Sequence, residues 1–400
     1  MKRSVCIISF SPIARDARVL RQIEYLAPHY DLTVIGYGDP PSIWYGKENI
    51  RWVRLPEREW HISKRIASRL TSVSMTALNA MQAPGVMQRS LYESWYWGGP
   101  SPRDALQYAL QSQCHAYHAN DWTALPVAAE AAKRNGAKLV FDAHEYAPLE
   151  YENRWLWKTR IRPAIIYFLR KYSPQVDAFT TVCAPIGERF KQEFGLEPTI
   201  VLNAPKIAEL PAEKSLDASN IRLIHHGGAF RDRHLEKMIQ ALAFCDPRYS
   251  LHFMLVGGHP GYIQELKELA DQLAPGRVVF HPPVPPDRIV QELTEYDIGF
   301  CMIEPTNYNY HVALPNKFFD FIVAGLAVCV GPSPAMAEIV RQYELGCVTP
   351  SFGPGEVAAT LNRLDVSRIA AMQRAARKAA KIFNADVEMA KVIALYRQLL

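Results

Sequence analysis

The sequence has 400 residues, 49% of them hydrophobic and 21% charged. That composition excludes a disordered, collagenous or low-complexity chain, and the length favours two domains over one core. The formal net charge of +5 does not by itself imply nucleic acid. It is uneven, with 25 Lys/Arg against 19 Asp/Glu in residues 1–200 and 20 against 21 in residues 201–400, so the first half suits an anionic partner.

The opening MKRSVCIISFSP lacks a long apolar stretch with a cleavage site. It reads as a first strand, Val5–Phe10, rather than a signal peptide. A helix follows in which Val19, Ile23 and Leu26 share one face. Short apolar runs at Leu32–Ile35, Ile50–Leu55, Ala137–Phe141 and Ala178–Val182 alternate with helical patterns, as in a parallel sheet covered on both faces. Residues 57–115, rich in Trp, Tyr, Ser, Met and Arg, interrupt the rhythm and read as one or two inserted helices. The polar, Pro-containing stretch 203–218 marks a join. The pattern restarts with a strand at Ile221–His226, a Gly-Gly turn, and a helix carrying Leu235, Met238, Ile239 and Leu242 at i, i+3, i+4 and i+7. Strands at Leu251–Val256, Val278–Phe280, Ile298–Ile303 and Ala327–Val330 follow, with helices that include Ile263–Leu273 and Pro315–Ala324.

The expected fold is α/β, with two Rossmann-like parallel-sheet domains, 1–203 and 204–383, facing across a cleft. A last helix, 384–400, is expected to pack back on the first domain. Ligand sites in such sheets lie beyond the carboxyl ends of the strands. Seven cysteines without a Cys-x-x-Cys pair fit core packing in a reducing cytoplasm better than a disulfide framework or zinc ribbon. No run of 18 apolar residues is present to span a bilayer.

In HHGGAFRDRHLEKM (225–238), Gly227 and Gly228 let backbone amides approach a ligand. The following helix start favours an anion, and Arg231 and Arg233 can fork onto a phosphate. A tight turn with solvated arginines is the alternative. In LPNKFFDFIVAGLAVCVG (314–331), Pro315 opens a helix whose first turn holds Lys317. A cation there opposes the helix dipole unless an anion binds. Asp320 follows at i+3 on the same face, suited to a ribose diol. An amphipathic helix with one ion pair is the alternative.

YHANDWTALP (117–126) and FDAHEYAPLE (141–150) place His118 with Asp121, and His144 with Asp142 and Glu145. In a cleft such groups bind sugar hydroxyls or move a proton; otherwise they serve structure. Neither segment has metal-site spacing. In SPIARDARVLRQ (11–22), Arg15, Asp16 and Arg18 lie near a helix start, whose N-terminus Asp16 can serve. RWLWKTRIRPAIIYFLRKY (154–172) holds six Lys/Arg, no acid, and Trp155, Trp157, Tyr167 and Phe168. With Trp60, Lys64, Arg65 and Arg69 it reads either as a surface for an anionic membrane or as a packed helix with its charges in water. No base-reading motif accompanies the charge, so no nucleic-acid partner is expected.

In order and spacing these segments resemble a glycosyltransferase of the GT-B fold, specifically the retaining glycosyltransferase family 4. LPNKFFDFIVAGLAVCVG is similar to that family's Pro-x-Lys-x-x-Glu helix with its Ala-x-Gly and strand. HHGGAFRDRHLEKMIQAL resembles its phosphate-binding loop, and LHFMLVGGHP its strand ending in Val-Gly. RDARVLRQIEYLA, HANDW and FDAHE resemble its N-terminal segments.

The resemblance implies sugar transfer from a nucleoside-diphosphate sugar to a glycan or lipid-linked acceptor. Arg233, with Arg231, and Lys317 would neutralise the diphosphate, framed by Gly227, Gly228, Leu314 and Asn316. Asp320, in place of the usual Glu, would hold the ribose, and the backbone around His281 and Val284 would meet the base. His118, His144 and Glu145 would join Arg233 and Lys317 in catalysis, with Asp16, Asn120 and Asp121 on the acceptor side. The sequence departs from the family at Val312, where a Glu often contacts the donor sugar, with Glu304 and His311 as the nearby substitutes. It departs again at Asn120, where some members carry His.

The resemblance further implies retention without an enzyme nucleophile and no metal requirement, the cations supplying the charge. Together with the cysteine pattern and the basic first half, this gives the expectation of a cytoplasmic enzyme of polysaccharide biosynthesis, peripheral at the inner face of the membrane. A nucleotide-sugar 2-epimerase, or a non-catalytic GT-B-like binding module, is the alternative.

Overall fold

The computed structural model describes residues 2–56, 85–212 and 215–400, with backbone alone for 85–90. Residues 57–84, including Trp60, Lys64, Arg65 and Arg69, lie outside the described residues. The chain forms two compact units. The first comprises Met1–Val201, Asn307–Asn309 and Met389–Leu400; the second comprises Leu202–Thr306 and Tyr310–Glu388.

In the first unit, strands β1 (Ser4–Pro12), β2 (Asp31–Tyr37), β3 (Ile50–Arg54), β4 (Ala116–Asn120), β5 (Lys138–Ala143), β6 (Ala178–Thr181) and β7 (Pro198–Ile200) form one sheet. All pairs are parallel, in the order β3-β2-β1-β4-β5-β6-β7. Val5–Ile8 and Ala116–Asn120 are buried throughout, because helices cover both faces; this is why these strands read as continuous runs. The helix Ala17–Leu26 begins where Asp16 accepts the Arg18 and Val19 amides, each at 3.2 Å. It buries Val19, Ile23 and Leu26 as their spacing demands. The helix Ala385–Leu399 adds Met389, Val392 and Tyr396 to this core, beside Ile7 and Val140.

In the second unit, β8 (Ile221–Ala229), β9 (Tyr249–Gly258), β10 (Val278–His281), β11 (Ile298–Cys301), β12 (Ala327–Val330) and β13 (Gly346–Val348) form a parallel sheet. Their order is β10-β9-β8-β11-β12-β13. Strand order reverses between β1 and β4 in one unit and between β8 and β11 in the other. Loops leaving those strands diverge and open a crevice, and Arg231 and Arg233 lie in the segment that leaves β8.

Three local readings need correction. Gly227 and Gly228 do not end their strand: they pair with Leu255 and Val256, and β8 runs on to Ala229. A 3-10 turn, Arg231–Arg233, then intervenes, and the helix starts only at Glu236. His118 and Asn120 lie inside β4 rather than after it. The helix after Leu314 is Asn316–Val323, with extended Pro315 one residue outside as its cap. In the interrupting region, the described residues form helices Gly85–Gly98 and Pro100–Ser112.

Candidate functional site

Two cations converge at the carboxyl end of β8. Gly227 has φ +116°, and a Cβ there would stand 3.3 Å from Lys317 Nζ and 3.7 Å from Arg233 Nη1. Only glycine combines that backbone conformation with such an approach. Lys317 lies in the first turn of the helix Asn316–Val323, almost fully buried. Its Nζ sits 2.9 Å from His225 Nε2. Nδ1 of His225 lies 2.8 Å from the Phe300 carbonyl and donates to it, so Nε2 is left as an acceptor for the lysine. Burial, and then the Lys317 charge, hold His225 well below the ordinary histidine pKa.

Arg233 reaches the Gly228 carbonyl at 3.4 Å and lies over the Phe230 ring, 5.1 Å from its centroid. Among the described residues no carboxylate lies within ion-pairing distance of Arg233 or Lys317. Burial, and then the Arg233 charge, bring the Lys317 pKa down to about 7. Two preorganised cations that lack an anion form a receptor for one.

Asp320, on the same helix face as Lys317, lies 3.4 Å from His226 Nε2. Burial, with the Lys317 charge, lowers the His226 pKa to about 3, so this contact is to a neutral ring. Leu314 is buried and Asn316 exposed beside them.

Arg231 does not join this group. It forks onto Glu265 at 2.7 and 2.5 Å and lies over Tyr262, because the 3-10 turn sends successive side chains in different directions. His281 ends β10, stacked on His252 with Nε2 2.9 Å from its Nδ1; half-buried Val284 follows in the loop. Glu304 is engaged by Lys237 and lies 3.6 Å from His234. His311 is exposed and Val312 buried. Sequence reasoning missed His225, His226 and Phe230 as site residues. The doubled histidine before two glycines at a strand's end was the available signal.

In the first unit, Ser9, Asn120, Asp142 and Thr180 stand in register on adjacent strands and so share one face of the sheet. Asp142 is fully buried. It takes a fork from Arg18 at 2.6 Å on each oxygen, with further bonds from Gln22 at 2.7 Å and Thr180 at 2.5 Å. Burial opposes its ionisation, but Arg18 outweighs this and holds its pKa well below the usual carboxylate range. Arg18 was read only as part of a helix start; the fold makes it the buried partner of a residue 124 positions away.

His144 Nε2 lies 3.2 Å from both Asn120 Oδ1 and Asp142 Oδ2, and Nδ1 lies 3.3 Å from Asp121 Oδ2. Burial alone would lower its pKa. The Asp121 charge and the Asp142 bond raise it instead, to about 9. His144 is therefore a cation set between two carboxylates, with Nε2 bonded to Asn120, and is unsuited to accepting a proton. Asp121 has φ +62° and takes the His144 amide on Oδ1 at 3.0 Å. His118 is fully buried, its Nδ1 2.8 Å from the Tyr396 hydroxyl, and burial lowers its pKa to about 4. Asp16 is used as a helix cap, and Glu145 is exposed.

The helix Trp155–Tyr172 buries Ala164, Ile165, Phe168, Leu169 and Tyr172, and Lys171 pairs with Glu93 at 2.6 Å. Its start leaves Trp155 and Leu156 66% and 53% exposed beside exposed Arg154 and Lys158. Among the described residues no helix is long and apolar enough to cross a membrane.

Comparison with known proteins gives two family matches. Residues 17–204 match the model described as Glycosyltransferase Family 4, and residues 221–365 that described as Glycosyl transferases group 1. No curated protein matches the sequence. Among solved structures, Anabaena HepE in complex with UDP and glucose is similar, with TM-score 0.71 and 16% identity over 99% of this chain and 100% of that one. Sucrose-phosphate synthase from Thermosynechococcus elongatus has TM-score 0.71 and 14% identity over 100% and 99%. WaaG, a glycosyltransferase involved in lipopolysaccharide biosynthesis, has TM-score 0.62 and 15% identity over 97% and 99%.

Proposed function

We infer the reaction from one premise: this chain belongs to the group 1 glycosyltransferases of the GT-B fold, matched in each half of its length. It is a glycosyltransferase, and we propose that its donor is a nucleoside-diphosphate sugar held by the second unit. The convergence of Arg233 and Lys317 on Gly227 carries this reading. The UDP and UDP-glucose bound to the similarly folded HepE support the same class of ligand.

As the anomeric C–O bond breaks, its electron pair passes to the departing diphosphate. The two cations stabilise that charge. Asp320 then faces the ribose, and Gly227 leaves room for the two cations that meet the phosphates. The acceptor hydroxyl attacks on the face the diphosphate vacates, and the diphosphate takes its proton, which retains the anomeric configuration. The raised pKa of His144, about 9, supports this route, since the imidazolium has no lone pair to serve as a base. Arg233 and Lys317 supply the charge a divalent ion would otherwise bring, so turnover is expected to survive chelation.

The acceptor is a glycan or lipid-linked precursor of polysaccharide biosynthesis, met by the first unit through Asp121 and Glu145; Asn120, expected on the acceptor side, is buried in β4 and bonds His144 instead. Exposed Trp155 and Leu156, set among Arg154 and Lys158, support attachment to an anionic membrane surface from the cytoplasmic side.

Calorimetric titration with UDP, GDP and ADP tests the donor site. Lys317→Ala and Arg233→Ala should each weaken the bound nucleotide by roughly ten-fold or more, as expected for charge-assisted phosphate bonds. Unchanged affinity in both variants would refute the assignment.

A further inference from the structure

Phe230 is unusual for a large aromatic residue next to a core strand: it is 41% exposed. It follows β8 directly and precedes the turn Arg231–Arg233. Its ring edge packs against Gly228, where a Cβ would stand 2.3 Å from the nearest ring carbon. Glycine at 228 therefore makes room for this ring, as glycine at 227 makes room for the two cations. The Arg233 guanidinium lies over the ring, 5.1 Å from the centroid, and His259 stands edge-on at 6.1 Å.

Arg233 has few other restraints. Its bond to the Gly228 carbonyl is long, at 3.4 Å, and the Tyr310 phenol lies within hydrogen-bonding reach. A free arginine side chain samples many rotamers, and fixing it before a ligand arrives removes that entropy from the binding step. An aromatic face within about 6 Å provides such a restraint without neutralising the charge, as a carboxylate would. Arg231, two residues earlier, shows the contrast: Glu265 holds it, and its charge is already satisfied.

We propose that Phe230 is a positioning residue of the donor site, its ring holding the Arg233 guanidinium against Gly227 so that the phosphates meet a preset cation. The inference rests on the donor reading above and adds the residue that makes one half of the cation pair available.

Titration calorimetry with UDP (or GDP or ADP, whichever the wild type binds) tests it. Phe230→Leu keeps an apolar side chain but loses the aromatic face. It should weaken binding roughly three- to ten-fold, while Phe230→Tyr, which keeps the face, stays within about two-fold. Gly228→Ala, which displaces the ring, should act like the leucine variant. The deciding measurement is a double-mutant cycle: in an Arg233→Ala background, Phe230→Leu should have no further effect. Wild-type affinity in Phe230→Leu, or an equal loss in both backgrounds, overturns the proposal. A wild type that binds none of the three nucleotides overturns the donor reading itself. That outcome is seen before any variant is made, so the two failures are distinguishable.

Discussion

Nucleotide binding should draw a proton from solution, and Lys317 is the group that takes it up. Its amine is buried, its hydrogen-bond partner His225 is neutral, and Arg233 repels its charge across Gly227. Asp320 opposes this only in part, and the pKa settles at about 7. At pH 8 about one molecule in ten then carries a charged Lys317. A diphosphate beside it restores the ammonium, so binding takes up about 0.9 proton at pH 8 and about 0.5 at pH 7. The associated affinity loss relative to a fully charged lysine is about ten-fold at pH 8, or roughly 1.4 kcal/mol. At pH 8 the terminal phosphate is itself ionised, so its own titration does not mask the effect. Calorimetry in two buffers of different ionisation enthalpy counts the protons directly. No uptake at pH 8, or the same uptake in Lys317→Ala, would refute the reasoning.

His144 should make stability fall with pH. Its folded pKa, about 9, exceeds the unfolded value near 6.5. Its contribution is therefore complete below pH 6.5 and lost as pH rises through 9, with an upper bound on the order of 3 kcal/mol. Asp121, Asp142, Arg18 and neutral His118 are the groups that act on it. Urea unfolding between pH 6 and 9.5 should show that fall in the wild type and lose it in His144→Gln. Asp142→Ala removes the carboxylate onto which buried Arg18 forks, and should destabilise the first unit by about 3–5 kcal/mol, read as a lowered denaturation midpoint at pH 7. Tyr396→Phe removes one buried hydrogen bond to His118 and should lower stability by about 1 kcal/mol, with UDP affinity unchanged. In flotation with anionic vesicles the protein should rise with the lipid. Reversing the charges at Lys158, Arg160 and Arg162 should leave it at the bottom, and equal flotation of both proteins would remove the helix Trp155–Tyr172 from the membrane reading.

Local periodicity already stated the α/β alternation, since a strand buried on both faces is apolar throughout and a helix repeats its apolar face every three to four residues. The runs at Val5–Phe10 and Ala327–Val330, and the Lys317–Asp320 spacing on one helical face, needed no tertiary information. Pairings across distance did. His225 meets Lys317 across 92 positions and Arg18 meets Asp142 across 124, because strand order, which no local window encodes, sets neighbours in a parallel sheet. Arg231 and Arg233 look equivalent in sequence, yet one is tied to Glu265 and the other rests on an aromatic ring. Composition fixes how many charges a chain carries; only the folded backbone decides which of them find partners and which remain available to a ligand.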